Sequence, residues 1–203
     1  MVGDEKRHPV IVDTDALIAV ADTDLWERIV ETLQITTTNV CYQELSRHVR
    51  ENSEYAPEGT RERRLHHASK TALKPFNDDG NDSFTVVTCV PRPHGNDAGE
   101  KSLETDIEQH IDHYRFAILM DKHGRRSINR VFDDVDTSTG RAVAPPFLLY
   151  LLLKKDACTV EEFCKACGEM LRGEGWTGYQ AIHAAWGAIP VDCSQYLPAD
   201  LLP

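Results

Sequence analysis

The chain has 203 residues, enough to bury a core without disulfide or metal staples, and of a size for one large domain or two small ones. Hydrophobic residues make up 41% and charged residues 27%, yet 33 Asp+Glu face 22 Lys+Arg, a formal net charge of -11. This excludes a generic polyanion-binding surface, which depends on basic side chains and counterion release; a local basic groove, or a metal bridging acids to phosphates, is compatible with it.

In chain order, Pro9-Val10-Ile11-Val12 before Asp13 is a short buried-strand signal, a β-branched run that stops at an acid. Ala16 to Val20 and Leu25 to Leu33 carry helical periodicity, with Asp24 as N-cap of the second. Thr-rich Ile35 to Val40 reads as strand two, and Tyr42 to Val49 as helix. Glu51 to Lys74 is polar and weakly periodic, a helix on a mobile arm, and Pro75 to Ser83 is a turn-rich loop. Phe84 to Val90 is strand three, Asn96 to Tyr114 a helix, Arg115 to Met120 strand four before Asp121, and Gly124 to Val131 a helix. A weak strand is expected at 134–138, then helices at Phe147 to Lys155 and Val160 to Arg172 and a Gly/Trp-rich end. Strands alternating with helices predict an α/β fold with a mostly parallel sheet.

The longest apolar run, Pro145 through Leu153, is about half of the roughly 20 residues that span a bilayer, so no membrane helix is expected. The charged N-terminus, with Asp4, Glu5, Lys6 and Arg7, has no signal-peptide core, and six cysteines without an export signal point to a reducing cytoplasm, not a disulfide framework. Eight of the cations are lysine, and Asp outnumbers Glu, the surface composition of a protein working in high salt.

In an open parallel sheet, sites form at the carboxyl ends of the strands where strand order reverses. Asp13 ends strand one, Asp121 ends strand four, Glu44 follows strand two, and Glu100 opens the helix after strand three. Four carboxylates from four chain segments therefore point at one sheet edge, an arrangement that repels itself unless a cation sits among them. Oxygen-only ligands suit Mg²⁺ or Mn²⁺, which activates a water and clamps a phosphate oxygen. A plainer account also exists: Asp97-Ala98-Gly99-Glu100 is a good capping box, and an acid-rich chain places acids at strand ends by chance.

The ordered set Val10-Ile-Val-Asp13-Thr14-Asp15, Tyr42-Gln-Glu44-Leu45, Asp97-Ala-Gly-Glu100 and Ala117-Ile-Leu-Met-Asp121-Lys-His-Gly-Arg125 resembles the PIN-domain nucleases over roughly residues 8–172. Pro146 to Cys158 is similar to that family's closing helix. The resemblance implies a three-layer α/β/α sandwich, with 173–203 as an extension packed on the same domain. It also implies a Mg²⁺- or Mn²⁺-dependent nuclease, usually acting on RNA. Asp13, Glu44, Glu100 and Asp121 would hold the metal, and Thr14 and Asp15 would line the site. Dimers are common in that family, and a protein inhibitor or antitoxin is a further partner compatible with it. The chain departs from the pattern in its longer polar arm at 51–83 and in Ala144-Pro145-Pro146, where the family has Thr or Ser.

Arg125 and Arg126, just past Asp121, are placed to touch substrate, whereas Arg61, Arg63, Arg64, His66, His67 and Lys70 read first as a solvated helix face laced with Glu58 and Glu62, and second as phosphate contacts. Cys164-x-x-Cys167 lies within a helix with no second ligand pair, so buried small residues are expected there, not zinc. Two rivals to the nuclease stand. Asp13-Thr-Asp15 also resembles the aspartyl-phosphate phosphatases, with Asp13 as nucleophile and Lys122 and Asp133-Asp134 as later motifs. The other rival is a non-catalytic scaffold of the same fold that binds RNA or protein.

Overall fold

A computed structural model describes residues 9–95, 97–135, 140–173, 176–199 and 202–203, with the backbone alone at 176 and 177. Five short strands form one wholly parallel sheet: β1 (Val10–Val12), β2 (Ile35–Thr38), β3 (Phe84–Val87), β4 (Phe116–Ile118) and β5 (Arg141–Val143). Their spatial order is β3-β2-β1-β4-β5. The described helices are α1 (Thr14–Ala21), α2 (Trp26–Thr32), α3 (Asn39–Glu51), α4 (Arg61–Leu73), α5 (Ala98–Gln109), α6 (Lys122–Asp133), α7 (Pro146–Lys154), α8 (Val160–Gly173) and α9 (Trp176–Gly187).

Strand alternation sorts these helices into two layers. Val10, Val12 and Ile118 face a core shared with α1, α2, α4, α7, α8 and α9, whereas Ile11, Ala117 and Ala142 face one built with α5 and α6. Helix α3 straddles the two, giving Cys41 to the second core and Leu45 to the first. The architecture is the expected three-layer α/β/α sandwich. From β1 the chain steps outward to β2 and β3, then returns to place β4 on the other side of β1. The order reverses between β1 and β4, where a crevice opens beyond the strand ends.

Buried threonines of β2 fix the frame of that crevice. Thr37 Oγ1 donates to Val12 O at 2.9 Å, and Thr38 Oγ1 caps α3 by accepting from Cys41 N at 3.2 Å while sharing a 2.6 Å hydrogen bond with Ser102 of α5. Polar groups in a buried strand are thus satisfied, and each bond ties one layer to the next.

Several expectations are corrected. Asp24 does not cap α2; Leu25 stands at that position without a side-chain bond, and Asp24 N donates instead to Glu169 Oε2 at 3.2 Å. The weak strand expected at 134–138 falls partly on residues outside those described, and α6 runs to Asp133. The fifth strand starts at Arg141, where the Asn129 side chain stands in for a neighbouring strand by accepting from Ala142 N at 2.8 Å and donating to Ala142 O at 3.2 Å. The stretch read as a mobile arm holds α4, which is packed against α1 and α3 with His66, Ala68, Ser69, Ala72 and Leu73 buried.

Cysteine pairing is a further correction. Cys164 of α8 and Cys193 of the tail form a disulfide, their Cα atoms 5.5 Å apart, while Cys41, Cys89, Cys158 and Cys167 are free and buried. The bond closes a loop of 29 residues onto a core that Ile182 and Trp186 of α9 also enter. Removing it by Cys193→Ser is expected to cost about 2–4 kcal/mol in urea unfolding, the range for a loop of this size. A midpoint indifferent both to the substitution and to reductant would contradict the cross-link. Among the described residues no helix is long and apolar enough to cross a membrane.

Candidate functional site

Each acid sits where a strand hands over to a helix. Asp13 follows β1 and caps α1: Oδ1 accepts from Ala16 N at 2.6 Å, and Oδ2 accepts from Met120 N at 3.0 Å across the point where the strand order reverses. The carboxylate thereby staples the end of β1 to the end of β4 while only 7% exposed. Asp121 follows β4 and caps α6, accepting from His123 N and from Gly124 N, the latter at 2.8 Å. Glu44 lies on the second turn of α3, where its Oε2 accepts from Thr14 Oγ1 at 2.7 Å. Glu100 lies in the first turn of α5.

These four acids, with Thr14, Asp15, Cys41, Asp97 and the rim residues Arg47 and His48, line one cavity of about 440 Å³. Two glycines make room for the glutamates. A Cβ on Gly99 would come 2.7 Å from Glu44 Oε2, and one on Gly124 would come 2.7 Å from the Glu100 carboxyl carbon. The sequence points to the acids, but it does not point to these two positions. Their only sequence signal is glycine in the first turn of a helix, where alanine is the better helix former.

The capping box that offered a plainer account of Glu100 is absent: Asp97 holds the N-cap position of α5 without a side-chain bond, and Glu100 lies against Gly124 of α6. Glu100 accepts no hydrogen bond from the described residues. Asp15 is exposed at the rim. Arg125 donates through Nη1 to Leu119 O at 2.7 Å and Met120 O at 2.6 Å, which fixes a cation beside Asp121, Asp13 and Glu100. Arg126 is exposed and lines neither this cavity nor the larger one beside it.

The electrostatics record unbalanced negative charge. Burial, then the neighbouring Asp15 and Glu100 carboxylates, push the Asp13 carboxyl up to about 8. Burial raises Glu100 as well, followed by repulsion from Asp121, Asp97, Asp15 and Glu104. Burial also pushes the Cys41 thiol up to about 12, so it is an uncharged wall and no nucleophile. An all-oxygen donor set short of positive charge is chemistry that a hard divalent cation fits. Among the described residues, however, no group of three His, Cys, Asp or Glu stands close enough to hold an ion, because each carboxylate is turned to its own cap, hydroxyl or glycine shelf.

A family profile described as a halobacterial PIN domain matches residues 1–203. Neither a search of curated proteins nor one of solved structures returns a match. PIN domains are nuclease-like in fold and typically use divalent metals. Matched along its whole length, with the strand-end acids facing one cavity of a parallel three-layer sandwich, this chain belongs to the halobacterial PIN-domain family.

Proposed function

We propose that the chain is an endoribonuclease that hydrolyses RNA phosphodiester bonds with Mg²⁺ or Mn²⁺ held by Asp13, Glu44, Glu100 and Asp121. The observation that carries this reading is that four acids from four chain segments line one cavity, where burial and mutual repulsion raise the proton affinity of Asp13 and Glu100. When bound, the ion supplies a water of lowered pKa and a clamp for a phosphate oxygen. Asp13 is the fixed point, held by two backbone N–H groups; Thr14 orients Glu44; Arg125 lends a permanent positive charge beside the acids. Glu100, with raised proton affinity and no donor on its oxygens among the described residues, is the group placed to take a proton from an attacking water. The test is incubation of purified protein with single-stranded and structured RNAs in Mg²⁺, Mn²⁺ or EDTA. Internal cleavage that EDTA abolishes is expected, and intact RNA in every condition would overturn the reading.

The phosphatase alternative is disfavoured by the geometry. Both Asp13 oxygens already accept backbone hydrogen bonds, and Asp133 and Asp134 lie at the far end of α6, about 18–20 Å along the helix from its N-cap Asp121.

Asp13 and Glu100 hold their protons more tightly folded than unfolded. The stability they contribute is full below the ordinary carboxylate pKa of about 4 and is lost as pH rises through their folded values. For Asp13 that loss is complete only above about 8. Metal-free protein is therefore expected to melt at progressively lower temperature from about pH 4 upward. Glu100→Gln should flatten the slope, and Mn²⁺ should restore stability most at the alkaline end, because ion and proton compete for the same oxygens. A melting temperature that climbs with pH in EDTA would contradict this.

A further inference from the structure

A second and larger cavity, of about 990 Å³, adjoins the acid cavity, and the two share Asp15 and Asp121 as a common wall. Its size is at the upper end of the range for ligand pockets. Its remaining walls come from parts of the chain that the acid cavity does not use. Phe147 and Tyr150 of α7 and Met120 give an apolar, partly aromatic side. Ala181, Ala184 and Ala185 of α9, three and four residues apart, put small side chains on one helix face and leave the space open.

The mouth has the opposite character. Arg61 at the start of α4 and Lys122 and His123 at the start of α6 are exposed there, and none has an ion pair among the described residues. Arg64, on the same side, is neutralised by Asp22 at 2.7 Å. In a chain of net charge -11, Arg61 and Lys122 beside an acidic cleft mark a place where a phosphate meets attraction instead of repulsion. An aromatic and aliphatic slot with cations at its lip is the chemistry of a nucleotide, with a flat apolar base and an anionic phosphate.

We propose that this cavity receives an unpaired nucleobase of the strand being cut, adjoining the phosphate presented to the carboxylates, with Arg61 and Lys122 on that nucleotide's own phosphate. The inference rests on the nuclease reading of the acid cavity and narrows its substrate to strands with an unpaired nucleotide at this position. A base inside a duplex has both faces covered by stacking and cannot enter a slot in the protein without leaving the helix. Arg125 lies on the boundary, since it lines the larger cavity while its charge acts on the acids of the smaller one.

The test is a fluorescence titration with a single-stranded oligoribonucleotide carrying 2-aminopurine, using Glu100→Gln protein to suppress cleavage, alongside cleavage assays with otherwise unsubstituted protein. The base should be quenched on binding, and the same strand annealed to its complement should compete about tenfold or more weakly. Ala184→Trp, which fills the cavity from an exposed helix position, should weaken binding about tenfold or more and cut cleavage in parallel. Lys122→Glu, also exposed, tests the lip without touching the apolar wall. Protein that cleaves RNA but binds and cuts equally well in both variants would overturn the base slot and leave the nuclease reading intact. Cavity-dependent binding by a protein that cleaves no RNA would uphold the slot and overturn the nuclease reading. Equal binding of single strand and duplex would overturn the restriction to unpaired nucleotides.

Discussion

Asp13→Asn is expected to lower metal-dependent RNA cleavage by about a hundredfold or more while leaving the chain folded. Asp13 is the least exposed of the four acids and the one whose position is fixed at both oxygens, by Ala16 N and by Met120 N. A carboxamide keeps one acceptor and turns an NH₂ toward the other backbone donor, at a cost of about 1–2 kcal/mol. Removing a carboxyl whose charged form is disfavoured by burial and by the Asp15 and Glu100 carboxylates works in the opposite direction. The two contributions nearly cancel, so the sandwich should survive and the loss of rate can be assigned to the missing charge. Circular dichroism melts and initial cleavage rates in saturating Mn²⁺ check both halves. Cleavage within a factor of two of the parent rate would sink the endoribonuclease reading.

The acids at the strand ends were legible because a β-branched run that stops at Asp, as in Val10-Ile11-Val12-Asp13, states both the strand and its exit. The order β3-β2-β1-β4-β5 was not, because nothing local tells β4 to pair beside β1; that choice is held by contacts such as Asp13 N to Ile118 O at 3.0 Å, made more than a hundred residues apart. Helix α4 was misjudged for a related reason. Its buried face is His66, Ala68, Ser69 and Ala72 with Leu73, small or polar residues whose burial leaves only a faint apolar period, and His66 Nδ1 lies 3.1 Å from the carbonyls of Val49 and Asn52. That the capping box, the plainer account of Glu100, does not form was hidden, because the sequence shows only the near neighbours of that residue. Its place beside Gly124 comes from α5 and α6 packing on the same side of the sheet, as Leu103, Ile107, Ile128 and Phe132 do in one core. The pairing of Cys164 with Cys193 was likewise invisible to a reading of spacings, which sees Cys164-x-x-Cys167 and not a partner 29 residues away.

Gly124→Ala should separate the chemistry of the site from the stability of the fold. The added methyl would stand 2.7 to 2.9 Å from the carboxyl group of Glu100, too close for both to remain. What gives way is the end of a flexible, half-buried side chain, so the backbone and core need not move. Alanine in place of glycine within α6 favours the helix by up to about 1 kcal/mol. The variant is therefore expected to melt at the same temperature or higher, yet to cleave RNA about tenfold or more slowly because one of its four acids has been pushed from its place. Gly99→Ala provides the contrast. There the methyl meets Glu44 Oε2 at 2.7 Å and also the buried Cys41 sulfur at 3.3 Å, which has nowhere to retreat, so activity and stability should fall together. If Gly124→Ala cleaves at the parent rate, the position of the Glu100 carboxylate does not matter to the reaction, and Glu100 must be struck from the acids that hold the metal.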